Sequence, residues 1–168
     1  MLMPIDRIPD WEQRLARQDA FWSCEIIDRP VVNILCGKPN PDYPFPAQKS
    51  WPTLRDRWFD AEYTAEKVLA NVMNIEYLGD ALPYTFPNLG PEIFSAYFGC
   101  EMEYGESTSW SIPCLEEWSQ ADKLNFSEDN LYWKKTIEFT DTLLEVGRGK
   151  FYTGLTDLHP GADAIVAF

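Results

Sequence analysis

The chain has 168 residues, 45% hydrophobic and 15% aromatic, a composition that excludes disorder and suits one domain, 1–168, with a sizeable core. A formal net charge of -13 excludes a nucleic-acid partner, whose phosphates require a basic face, and argues against an anionic membrane surface. No apolar run reaches the roughly 18 residues of a membrane span, and the opening MLMPIDRIPDWEQRL lacks the basic-then-apolar order of a signal peptide. The expectation is a cytoplasmic protein with no membrane partner.

Asp10 to Ile27 reads as a helix. Asp10 is a suitable N-cap with Gln13 three residues on, and Trp11, Leu15, Trp22 and Ile26 fall on one face. Asp28-Arg29-Pro30 breaks it. Val31 to Cys36 reads as a short buried strand ended by Gly37. Residues 38–52 form a loop studded with Pro39, Pro41, Pro44, Pro46 and Pro52, with Tyr43, Phe45 and Trp51 between them. Proline removes amide donors, so the segment is either a lid or lining, or a polyproline-like arm packed on a neighbour.

Asp60 to Met73 predicts a helix with Ala65, Val68, Leu69, Val72 and Met73 as its buried stripe. Tyr77 to Tyr84 follows as a strand. Gly90-Pro91 then opens a helix over Glu92 to Phe98, closed by Gly99. Cys100 to Tyr104 and Thr108 to Ile112 read as two extended pieces around Gly105. Leu115 to Leu124 is a polar loop with a turn of helix. Ser127 caps a helix with Glu128 and Asp129 at its positive end, an inner face of Trp133, Ile137, Thr140 and Leu144, and a stop at Gly147.

The last stretch, KFYTGLTDLHPGADAIVAF, carries the most chemistry. Phe151 to Leu155 reads as a buried strand. Thr156, Asp157 and His159, the sole histidine, cluster at its end, and Pro160-Gly161 opens a small-residue helix from Ala162 to Phe168. Polar groups at the end of a buried strand that turns into a helix are how an α/β enzyme presents its site. By pattern the chain stops in mid-helix. Four scattered cysteines, Cys24, Cys36, Cys100 and Cys114, lack a C-x-x-C pair and read as reduced and buried rather than as a zinc site.

Strands alternating with helices point to an α/β fold with a parallel sheet. Three blocks resemble the uroporphyrinogen decarboxylase-like superfamily: YLGDALPYTFPNLG (77–90), CEMEYGESTSWSIP (100–113) and KFYTGLTDLHPGADA (150–164). That superfamily holds the tetrapyrrole decarboxylases and the cobamide-dependent methyltransferases, and the likeness is to the methyltransferase-like branch. It implies about half of a TIM-type (β/α)8 barrel, with parallel strands behind an N-terminal helix. It also implies methyl transfer linked to a corrinoid carrier, with a small-molecule or corrinoid-protein substrate. Zinc would enter only through ligands of a C-terminal half. Arg29-Pro30 matches the tetrapyrrole decarboxylases, but Ile34 to Asn40 lacks the arginines that would hold a polyanionic substrate. That argues against the lyase alternative. A third alternative is a non-catalytic half-barrel that works as a homo-oligomer, because an uncovered sheet edge recruits a partner.

The candidate catalytic residues are Asp157 and His159: a carboxylate can hold an imidazole that serves as acid or base near neutrality. Alternatively, Asp157 caps the following helix. Tyr84, Asn88, Gly90, Trp110 and Thr156 are the candidate substrate-binding residues. Asn88 before a helix start can bind a carboxylate edge, or simply make a turn. Glu101, Glu103 and Glu106 could share a proton or a metal, or form a solvated face.

Overall fold

The computed structural model describes residues 4–159 and 161–168; Pro160, expected to open the last helix, and the first three residues of the opening stretch lie outside them. Helix α1 (Trp11–Trp22) stops before Ile27 because Cys24 adopts a φ of 58° and turns the chain. The Asp10 carboxylate accepts from Arg14 Nε at 3.0 Å, so the expected capping box with Gln13 does not form. The inward residues are Arg17 and Ala20, whereas Trp22 is 80% exposed. An arginine faces inward because it has a buried carboxylate to meet.

That carboxylate is Asp80. It lies at the end of strand β2 (Ile75–Gly79), where Gly79 takes a φ of 68°. Asp80 N donates to Val32 O at 2.7 Å, and Val32 N donates back to Asp80 Oδ2 at 3.1 Å. This reciprocal pair fastens β2 to strand β1 (Asn33–Gly37) in antiparallel register, with Ile34 opposite Leu78 and Leu35 opposite Tyr77. All residues of β1 are exposed, so it is not the buried strand its composition suggests. The expected strand over 77–84 is broken at Asp80, and its tail becomes β3 (Tyr84–Thr85).

Helix α2 (Leu54–Trp58) carries a capping box between Thr53 and Asp56 that the sequence reading passed over. Helix α3 (Ala61–Met73) starts where expected: Asp60 accepts from Tyr63 N at 2.9 Å, and Ala65, Leu69 and Val72 are buried. Helix α4 (Ile93–Tyr97) precedes the hairpin of β4 (Glu101–Tyr104) and β5 (Ser109–Ile112). A 3-10 turn (Trp118–Lys123) leads on to helix α5 (Leu131–Val146). Ser127 caps only a local turn, accepting from Asp129 N at 3.1 Å. Asn130 is the helix N-cap and accepts from Tyr132 N and Trp133 N. The buried face of α5 is Tyr132, Thr136, Phe139 and Leu143, one residue round from the expected one, leaving Ile137 and Leu144 exposed.

Strand β6 (Tyr152–Thr153) runs parallel to β3, with Tyr84 opposite Tyr152, and helix α6 (Ala162–Ala167) closes the described chain. Among the described residues β3 and β6 are the one parallel pair, and each has two residues. The half TIM-type barrel is therefore corrected. Among the described residues the fold is mixed α/β with three two-stranded sheets, two of them antiparallel. The physical reason is the Asp80 anchor, which turns β2 back along β1 and withholds it from a parallel sheet. Two hydrophobic clusters hold the layers. One gathers Ile5, Ile8, Leu69, Val72, Tyr77, Leu143 and Phe151. The other gathers Leu89, Ile93, Tyr97, Met102, Tyr104, Tyr132 and Phe139. Helix α5 serves both, through Leu143 and Phe139, each worth about 1.5–3 kcal/mol of burial. Of the cysteines, Cys100 alone is buried; Cys24, Cys36 and Cys114 are exposed.

Candidate functional site

The C-terminal ends of β3 and β6 meet. Gly154 N donates to Thr85 O at 2.8 Å, continuing the parallel register, and Thr156 Oγ1 donates to Pro87 O at 2.9 Å. The Tyr84 ring lies against Gly154, where any Cβ would strike it. Behind this junction is a chain of hydroxyls. The Tyr97 hydroxyl lies 2.8 Å from Thr136 Oγ1, which donates to Tyr132 O at 2.9 Å. Burial pushes the Tyr97 phenol above its ordinary value, while hydrogen bonds with Thr136 and Thr156 oppose the shift. It stays neutral and structural.

Beyond Thr156, His159 Nε2 lies 3.0 Å from Asp157 Oδ2, both side chains a little over two-fifths exposed. The pair is half in water, so the attraction is modest in energy but sufficient to orient the ring. With Nε2 engaged by Asp157, Nδ1 is the ring nitrogen outside that contact. Asp157 is engaged by His159, which favours the pair over the helix-cap alternative.

A cavity of about 570 Å³ opens beside the β3 end. Thr85, Phe86 and Asn88 form one wall; Trp51, Arg57 and Tyr63 stand on others. Phe86 and Asn88 flank Pro87, the residue that receives Thr156, while Tyr84, Thr156, Asp157 and His159 are not among the residues lining the cavity. The proline-rich segment 38–52 packs on α3: Asn74 exchanges hydrogen bonds with Tyr43, and Trp51 stands edge-on to Tyr63 with Nε1 donating to Asp60 at 3.1 Å. It is an arm for most of its length and a cavity lining at Gln48 and Trp51. Arg57 reaches across to the β4–β5 turn, bonding Glu106 at 2.9 Å and Gly105 O at 3.2 Å.

The expected substrate-binding residues therefore divide. Tyr84, Asn88 and Thr156 gather at the strand ends. The Asn88 side chain accepts from Gly90 N at 2.9 Å, so it makes the turn as well as the wall. Gly90 has a φ of 113° and lies under the Ser109 side chain, a packing role that only glycine fills. Trp110 is not brought to the site. It stands on the exposed face of β5, opposite in pleat to the buried Ser109, with Nε1 donating to Glu103 at 3.1 Å. The three glutamates are likewise dispersed: Glu101 accepts from Tyr132 Oη, Glu103 from Trp110 and Glu106 from Arg57. Among the described residues no group of three or more His, Cys, Asp or Glu side chains could hold a metal ion. Sequence reasoning missed Arg57, Tyr63 and Lys67 as cavity walls; the Thr53–Asp56 capping signature was the available signal for the helix that carries Arg57.

No helix among the described residues is long and apolar enough to cross a membrane. No protein-family model, no curated protein and no solved structure matches this chain.

Proposed function

We propose that this chain works in methyl transfer between a corrinoid carrier and a small molecule in the cytoplasm, as the likeness of its blocks to uroporphyrinogen decarboxylase-like enzymes implies. The observation that carries the reading is the meeting of two of those blocks. YLGDALPYTFPNLG supplies β3, KFYTGLTDLHPGADA supplies β6, and the ends of these neighbouring strands hold Asn88, Thr156 and the Asp157–His159 pair. The cavity, at about 570 Å³, lies in the range of drug-sized ligands and suits the small methyl donor or acceptor rather than a whole corrinoid. The corrinoid supplies the methyl group. An acceptor bearing O–H or S–H sheds a proton as it gains that methyl, and His159, held by Asp157, is the group to take it.

The test is methyl transfer from free methylcobalamin to small thiols and phenols, followed by the cobalamin spectrum, with the wild-type chain and His159→Ala. Transfer that collapses in the variant supports the reading. Equal rates would remove His159 from the mechanism, and no transfer by the wild type would remove the activity.

Two observations bear on the alternatives. Arg29, which stands where a tetrapyrrole decarboxylase has its arginine, is committed to the fully buried Asp80 through both terminal nitrogens and is not offered to a substrate. The lyase reading weakens accordingly. Self-association is favoured by Leu155 beyond β6 and by Val166 and Ile165 on α6, which are 86%, 79% and 56% exposed. Light scattering at two concentrations separates a monomer from an oligomer.

A further inference from the structure

We infer that Cys114 and Cys100 form a thiol–disulfide exchange site, in which a small-molecule disulfide oxidises the two thiols to an intramolecular bond across the mouth of the β4–β5 hairpin. The two Sγ atoms are 2.8 Å apart. Thiol sulfurs in ordinary van der Waals contact stand farther apart, so little movement separates this pair from a covalent bond. The hairpin sets the geometry. Glu101 pairs with Ile112, and Cys100 stands one residue before β4 while Cys114 stands two residues after β5, so both lie at the open end of the ladder.

The two thiols are unequal, as exchange requires. Cys114 is exposed and meets the reagent first, whereas Cys100 is 1% exposed and lies behind it in direct contact with Cys114 Sγ. Burial pushes the Cys100 thiol up to about 11, and contact with Cys114 adds to the rise. Cys100 therefore waits as the resolving thiol and is not the first attacker.

The steps balance. Cys114 loses its proton and the thiolate attacks one sulfur of the small disulfide, forming a mixed disulfide and expelling a thiolate that takes up that proton. Cys100 then loses its proton and attacks Cys114 Sγ, forming the Cys100–Cys114 bond and expelling the second thiolate, which takes up the second proton. Two protein thiols are oxidised by two electrons as one small disulfide is reduced to two thiols.

The bond would act on the end of α6. Cys114 N and Leu115 N donate to Phe168 O at 2.7 and 2.8 Å, and Ser111 Oγ donates to Ala167 O at 2.9 Å. Cys100 Sγ lies 3.7 Å from Ala167 O as a weak donor, and oxidation removes that hydrogen. The seat of α6 is thus clipped in the oxidised form and one donor poorer.

The experiment uses the whole chain with Cys24→Ser and Cys36→Ser, incubated with oxidised glutathione and read by intact mass and thiol titration. The expected product has lost two thiols with no adduct, and its melting temperature rises by about 5–10 °C, reversed by dithiothreitol. Cys100→Ser should stop at a stable glutathione adduct on Cys114. Cys114→Ser should leave Cys100 unreactive in the folded protein, which covers the case in which the first variant fails to fold. A persistent adduct on the chain with both thiols, or full reactivity of Cys100 in Cys114→Ser, overturns the proposal.

Discussion

Arg29 closes on Asp80 with both ends of its guanidinium, Nη2 standing 2.8 Å from Oδ1, while Asp80 itself has no exposed surface. Arg17 adds a third contact at 3.1 Å and holds Asp28 with its other nitrogens at 2.8 Å. A buried carboxylate so matched is a junction between α1, the 28–32 segment and β2. Removing one partner of such a pair leaves a charge buried without compensation.

Asp80→Ala should therefore destabilise the fold by about 3–5 kcal/mol, measured by urea unfolding, with far-ultraviolet dichroism as the check that the variant folds. Loss of less than about 1 kcal/mol would mean that the junction is not structural.

Acid should reveal the same junction. Burial alone would raise the Asp80 carboxyl, but Arg29, the Val32 amide and Arg17 outweigh it and hold the group below its ordinary 3.8. A carboxyl depressed in the folded state contributes stability that is present above its unfolded value and lost as pH falls through the folded one. Asp28 behaves alike, held down to about 2 mainly by its hydrogen bonds from Arg17. Stability should be flat above about pH 5 and fall between about pH 4 and pH 2, and Asp80→Asn should blunt that fall. An identical acid limb in the variant would assign the loss to other carboxyls.

The rotation of α5 is testable by substitution. Phe139 is 1% exposed and Ile137 is 42% exposed. Phe139→Ala should cost about 3–5 kcal/mol, and Ile137→Ala well under half of that. The reverse order would restore the face read from the sequence.

Tyr104 is 7% exposed, and its hydroxyl oxygen is the buried side-chain atom without a hydrogen-bond partner among the described residues. Burial also drives its phenol well above the ordinary range. Tyr104→Phe removes an unsatisfied hydroxyl and keeps the ring contacts with Trp58 and Phe59. It should leave stability unchanged or raise it by about 1 kcal/mol in thermal melts. A loss of similar size would show that water or a ligand satisfies the hydroxyl in solution.

For the proposed chemistry, Asp157→Asn should keep the fold and lower methyl transfer by about 10²-fold or more, with the larger change in kcat than in KM. Asn88→Ala should change KM first, because Asn88 forms cavity wall. Equal effects on both constants in both variants would point to a shared structural role.

Local signals settled much of this protein from its sequence. The Asp60 cap and the stripe of α3, the two arms of the hairpin about Gly105, and the existence of α5 are all readable because their determinants lie within a few residues of one another. So is the Asp157–His159 pair, two residues apart on one turn. Strand direction was not readable. Whether β1 meets β2 antiparallel depends on Arg17 and Arg29 finding Asp80 from more than fifty positions away. The face of α5 was misread by one residue because apolar side chains occur on both candidate stripes, and the decision rests on which stripe meets Leu89, Tyr97 and Leu69. The cavity is the extreme case, with walls drawn from Gln48 to Leu143. Helix caps and turns are set by neighbours along the chain, whereas pairing, burial and concavity are set by neighbours in space, and only the folded chain brings those together.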